Sequence, residues 1–97
     1  MIVAPVGEAE AEIAEAVEFH RTRSAELSQR FLIDLEAAVA KIIHFPNAHP
    51  PLRGGFRRIL LARFAYQIVY RVEGDTIRIY AVAHLKRRPG YWRKRLR

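Results

Sequence analysis

Residues 66–84, with the sequence YQIVYRVEGDTIRIYAVAH, decide the fold of this chain. Apolar and polar side chains alternate on both sides of the segment Glu73-Gly74-Asp75, which is typical of two half-buried strands joined by a tight turn. A further alternating run, residues 56–61, follows a loop at 45–55 that is rich in proline and glycine. These patterns predict an antiparallel sheet over residues 56–84, with residues 2–6 as a short extra strand or an extended arm.

The segment before the loop predicts a helical hairpin over residues 8–44. Its clearest feature is an apolar stripe at steps of four, four, three and four, which is the spacing of one helix face. That stripe consists of Leu27, Phe31, Leu35, Ala38 and Ile42. Ser24 is a suitable N-cap for this second helix, and the break before it is short. Because a sheet must bury its apolar face, we expect an α+β domain in which the hairpin packs on a three- to four-stranded antiparallel sheet.

Composition limits the chain to a few classes of protein. Its 97 residues suit a single domain over residues 1–97, and no apolar run is long enough to cross a membrane. The chain has no cysteine and no signal-peptide pattern, which favours a cytoplasmic location. The histidines lack the spacing of metal ligands, so we expect neither a metal nor a cofactor.

Charge is divided unevenly along the chain. Residues 1–40 carry three arginines against eight acids, and residues 41–97 carry fourteen basic residues against two acids, so the two parts have net charges of −5 and +12. The basic tail, residues 85–97, holds seven of those cations around Tyr91 and Trp92. Charge runs are often only solvated surface, but aromatic residues among cations favour binding of an acidic or nucleic-acid partner. His84, just before the tail, suits either general-base catalysis or packing at a strand end.

Several segments resemble the RelE/ParE superfamily of toxins from bacterial toxin–antitoxin modules. They are EIAEAVEFH, RFLIDLEAAVAKIIHFPNAHP, RRILLARFAYQIVYRVEGDTIRIYAVAH and RRPGYW, which together cover most of the chain. The resemblance implies two helices on an antiparallel sheet. It also implies one of two activities, because RelE-like members cut mRNA on the ribosome whereas ParE-like members poison DNA gyrase. Both types are neutralised by a small antitoxin whose tail folds across the toxin.

The resemblance favours the ParE-like activity over the RelE-like one. RelE-like enzymes have an arginine where this chain has Gln67, and a basic residue where it has Leu85. The expected partners are therefore a cognate ParD-like antitoxin with an acidic segment and DNA gyrase, or else the ribosome and mRNA. A non-catalytic nucleic-acid-binding module is a third hypothesis, disfavoured because both helices are acidic or mixed in charge.

The resemblance also implies candidate site residues. For contact with the target we expect Arg87, Arg88, Tyr91 and Trp92. For contact with the antitoxin we expect Leu27, Phe31, Arg57, Arg58, Arg63 and Arg71. On the ParE-like hypothesis no residue is catalytic; on the ribonuclease hypothesis the candidates are His84, Tyr91 and Arg58.

Overall fold

Two helices and a four-stranded sheet make up the fold in a computed structural model, which describes residues 1–96. Arg97, which belongs to the predicted basic tail, lies outside the described residues. The elements are β1 (Ile2–Pro5), α1 (Gly7–Arg21), α2 (Ala25–His44), β2 (Phe56–Leu60), β3 (Tyr66–Glu73), β4 (Thr76–His84) and a 3-10 turn (Arg93–Arg95). The α+β class is as predicted.

The second helix begins and packs as its sequence indicates. The Ser24 hydroxyl accepts a hydrogen bond from the Leu27 N–H at 3.0 Å, which satisfies one of the free donors in the first turn of α2. Four members of the apolar stripe are buried in one cluster with the sheet: Phe31, Leu35, Ala38 and Ile42. The helical hairpin therefore covers one face of the sheet, as the sequence predicts.

The sheet has the order β1-β4-β3-β2, and it is mixed where we expected it to be wholly antiparallel. Strands β2, β3 and β4 pair antiparallel as predicted, but β1 runs parallel to β4, with Ile2 opposite Thr76 and Pro5 opposite Ile79. The difference has a topological reason. A tight turn forces antiparallel pairing between β3 and β4, whereas β1 is connected to the sheet through both helices, and such a crossover permits parallel pairing.

The second face of the sheet is covered by the C-terminal tail. Trp92 is only 4% exposed, and its ring centre lies 4.6 Å from that of Phe56. The Phe56 ring in turn meets the Tyr80 ring edge to face at 5.2 Å. The tail is thus part of the core, and the expectation that Trp92 lies on the surface for a partner is wrong.

Candidate functional site

A buried ion pair attaches the tail to the edge of β4. Strand β1 pairs with β4 only as far as Ile79, so the backbone beyond that point needs other hydrogen-bond partners. Glu12 of α1 accepts a hydrogen bond from the Val82 N–H at 3.0 Å, and Arg95 donates to the Tyr80 carbonyl at 2.9 Å. Arg95 also donates to both oxygens of Glu12, at 2.9 and 3.0 Å. The pair therefore closes the open edge of the strand.

Tyr91 is bound to the same carboxylate. Its hydroxyl donates a short hydrogen bond to Glu12, and burial together with this bond raises the pKa of Tyr91 to about 12. At neutral pH the phenol is therefore protonated, and its proton is committed to Glu12. The guanidinium of Arg87 lies 3.9 Å from the centre of the Tyr91 ring. These contacts give Tyr91 a structural role in the tail.

His84 lies at the end of β4, as the sequence predicts, beside a groove of about 290 Å³. Its Nδ1 accepts a hydrogen bond from the Lys86 N–H at 3.1 Å, which corresponds to the tautomer protonated on Nε2. The opposite wall of the groove comes from α1 and includes the carboxylates of Glu12 and Glu15. Arg87 lines the same groove, and Glu12 is already paired with Arg95, so charges of both signs surround His84.

The three ribonuclease candidates do not line one common cavity, although Arg87 lines both of the cavities concerned. Arg58 hydrogen-bonds to Gln67 at 3.2 Å and lines a different cavity from His84. Tyr91 lines neither of these two cavities. General acid–base catalysis requires the groups to reach one reacting centre, so the ribonuclease hypothesis needs a substrate that spans both cavities.

Two of the four target-binding candidates have exposed side chains, and the other two are partly or fully buried. Arg87 and Arg88 are exposed, whereas Tyr91 is half-buried and Trp92 is buried. The two arginines are therefore available to a partner, and the two aromatic side chains position the segment that carries them.

The antitoxin-binding candidates lie on different parts of the molecule. Leu27 is half-buried, and Phe31 is fully buried between α2 and the sheet, so Phe31 is not available to a partner. Arg58 and Arg71 stand opposite Val69 and Phe56 in the strand register, on the sheet face that the tail covers.

The other two candidates of that set lie apart. Arg57 donates to the His49 carbonyl at 2.8 Å, and Arg63 is exposed beside α2. The six residues do not form one surface.

A groove of about 520 Å³ lies beside α2. Its floor includes Asp34, which is 5% exposed and accepts hydrogen bonds from the N–H groups of Arg63 and Phe64, both at 2.9 Å. Ile33, 66% exposed, forms part of its wall. The sequence does carry a signal for Asp34, because this acid interrupts the apolar stripe of α2 directly before Leu35.

Within residues 1–96, no group of three or more histidine or acidic side chains is arranged to hold a metal ion. No helix in the same residues is long and apolar enough to cross a membrane.

Comparison with protein families identifies the chain. The family described as "ParE toxin of type II toxin-antitoxin system, parDE" matches residues 7–89. The chain belongs to the ParE toxin family. No curated protein matches it significantly.

A solved structure has the same fold as this ParE-family toxin. It is entitled "Chromosomal ParDE TA system from P. aeruginosa" and aligns with a TM-score of 0.67 over 87% of this chain and 95% of that chain. At 18% identity, this likeness supports the architecture alone. The family match covers α1 through β4 and ends at Pro89, before the buried Trp92 and Arg95. The anchored part of the tail is therefore a feature of this chain that the family match leaves undescribed.

Proposed function

We propose that this ParE-family toxin arrests growth in the cytoplasm by poisoning DNA gyrase, and that a cognate ParD-like antitoxin neutralises it. One observation carries the choice of gyrase over mRNA: Glu12 binds both the Tyr91 hydroxyl and the Arg95 guanidinium, which gives Tyr91 a structural role in holding the tail. The absence of arginine at Gln67 points the same way, because phosphoryl chemistry needs charge stabilisation in the transition state.

For the contact with the target we propose Arg87 and Arg88. Both side chains are exposed and follow the last strand directly. Tyr91 and Trp92 act indirectly, because Tyr91 packs under Arg87 and Trp92 is held in the core against Phe56. Arginine pairs suit recognition of carboxylate or phosphate groups, since each guanidinium offers a fork of donors.

For the antitoxin we propose the groove beside α2. Ile33 gives it exposed apolar surface, and Arg63 gives it positive charge; Arg30 also lines it but is paired with Glu26 at 2.6 Å. An amphipathic acidic segment that orders on binding fits both features. In this proposal the apolar contact with the antitoxin is Ile33 and not Phe31, and Arg63 remains from the predicted set.

The experiment compares two purified variants with the unchanged toxin, in gyrase supercoiling and in cleavage of ribosome-bound mRNA. Replacing Arg87 and Arg88 together by alanine should abolish inhibition of supercoiling, whereas His84→Gln should leave it intact. Arg21→Gln is a matched control, because Arg21 is exposed on α1 and paired only locally with Glu18.

The opposite pattern would support the RelE-like alternative. Cleaved mRNA with normal supercoiling, together with a loss of about 10²–10⁴ in cleavage rate for His84→Gln, would identify a ribonuclease. His84 is the group that keeps this alternative testable, because its ring lines an open groove.

A further inference from the structure

A second cleft of about 290 Å³ lies between the tail and the sheet face that the helices leave uncovered. Three arginines from separate parts of the chain line it: Arg58 from β2, Arg87 after β4, and Arg93 in the 3-10 turn. Among the described residues, no acid lines the cleft. Arg87 has a counter-ion outside the cleft lining, Glu12 at 4.0 Å, which it shares with Arg95. An anion placed in the cleft would be attracted by all three guanidiniums, so the lining favours a ligand of negative charge.

Each of the three guanidiniums is held in place by a neighbour. Arg58 donates to Gln67 at 3.2 Å, Arg93 donates to the carbonyl of Arg53 at 2.9 Å, and Arg87 lies over the Tyr91 ring at 3.9 Å. A guanidinium has five N–H donors, so these contacts leave further donors for a ligand. Because the side chains are already oriented, less conformational entropy is lost when an anion binds.

We propose that this cleft binds the phosphodiester backbone of a nucleic acid. Trp92, which lines the cleft, is 4% exposed and offers no ring face on which a base could stack, whereas Leu85, 42% exposed, adds some apolar surface. Base recognition is therefore not expected here. The arginines remain the groups that distinguish this cleft, and a sugar–phosphate chain supplies the matching charge.

The surroundings of the cleft extend the same charge. The loop before β2 and the tail, which both contribute to the cleft, carry further exposed cations: Arg53, Lys86, Arg88 and Lys94. A lone carboxylate would use one or two of these groups, whereas a polyanion with a charge at every nucleotide uses the whole series. The binding is therefore independent of base sequence. It also goes beyond the proposed function, because it is a property of the purified toxin and does not depend on gyrase.

The test measures affinity as a function of salt. Purified toxin is titrated into a labelled DNA duplex of about 20 base pairs, a single-stranded RNA of matching sequence, and a poly-glutamate peptide, and binding is followed by fluorescence anisotropy. Each phosphate contact contributes about −0.9 to the slope of log K against log salt for duplex DNA and about −0.7 for a single strand. Three arginine contacts should therefore supply about −2.7 of the slope on DNA.

Replacing Arg58 and Arg87 together by glutamine should make that slope shallower by about 1.8, which is a loss of about 60-fold in affinity near 0.1 M salt. Replacing Arg21 and Arg23 by glutamine removes the same charge from the end of α1 and should leave the slope unchanged. Arg58→Lys keeps the charge at β2 and should also keep the slope. Thermal melting of every variant confirms that the protein is folded.

Three results would overturn the proposal: an unchanged slope in the cleft variant, an equal loss in the α1 control, or equally strong cleft-dependent binding of poly-glutamate. The last result would identify an acidic peptide as the ligand. Cleft-dependent binding of either DNA or RNA supports the proposal, and the tighter of the two identifies the natural source of the phosphodiester. Failure of this test would leave gyrase inhibition untouched, so the two proposals can fail separately.

Discussion

Replacing Glu12 by alanine should destabilise the fold more than any other single change of a charged residue on α1. The side chains of Glu12 and Arg95 are 11% and 10% exposed, so the substitution leaves a buried guanidinium without its counter-ion. It also removes the acceptor of the Val82 N–H and of the Tyr91 hydroxyl. Breaking a buried pair in this way costs about 3–5 kcal/mol. The free energy of unfolding of a domain is only about 5–15 kcal/mol, so the substitution should remove a large part of it.

The assay is equilibrium unfolding in urea of four proteins: the unchanged chain, Glu12→Ala, Arg95→Met and the double variant. In a double-mutant cycle, the free energies of unfolding lost in the two single variants should together exceed the loss in the double variant by about 1–3 kcal/mol. The reason is that the second change removes the charge that the first left unpaired. Glu18→Ala is the matched control. Glu18 pairs with Arg21 in the same helix, but both side chains are more than half exposed, and the unfolding midpoint should hardly move.

Two results would refute this reasoning. Additivity of the two single changes within about 0.5 kcal/mol would mean that Glu12 and Arg95 do not interact in solution. A cost below about 1 kcal/mol for Glu12→Ala would mean that Arg95 turns out to water, as exposed pairs do, and that the tail does not close the edge of β4.

Three further predictions concern other buried side chains. Burial lowers the pKa of His20, so the stability that its neutral form provides is present above the unfolded pKa of about 6.5 and is lost as pH falls. The free energy of unfolding, measured in urea, should decrease by at most about 1.4 kcal/mol per pH unit. This pH dependence should be smaller in His20→Phe. Asp34→Ala should cost about 2–4 kcal/mol, with a smaller loss for Asp34→Asn, because two backbone N–H groups lose their acceptor; unchanged unfolding would show that water replaces it. Trp92→Ala should cost about 3–5 kcal/mol, whereas Trp92→Phe should keep growth arrest in cells; loss of arrest in a stably folded Trp92→Phe would show a direct contact with the target.

The sequence was sufficient for the parts of the fold that rest on local periodicity. The stripe from Phe31 to Ile42 and the alternation around Gly74 depend on spacing alone, and the structure confirms both. The direction of β1 was not accessible in this way. Parallel pairing of residues 2–5 with residues 76–79 is a contact between distant segments, and a run of four residues carries no information about its partner.

The candidate site was less predictable, because the sequence does not show which charges are buried. The acids of α1 have the pattern of a solvated face, yet Glu12 is bound by Tyr91 and Arg95 from the other end of the chain. In the same way, Trp92 and Arg95 look like members of a surface run, although both are buried. A cation run is read as surface because most such runs are solvated, and only the three-dimensional contacts identify the exceptions.

The anchoring of the tail changes how its substitutions should be interpreted. Arg87 and Arg88 are exposed, but the segment that carries them is held at the other end by Trp92 and Arg95. On the proposed function, loss of an anchor should reduce toxicity and stability together, whereas loss of an exposed arginine should reduce toxicity alone. Measuring the free energy of unfolding beside growth arrest separates the two classes. Without that measurement, a substitution at Arg95 would be mistaken for loss of a target contact, although its guanidinium faces Glu12 and the Tyr80 carbonyl.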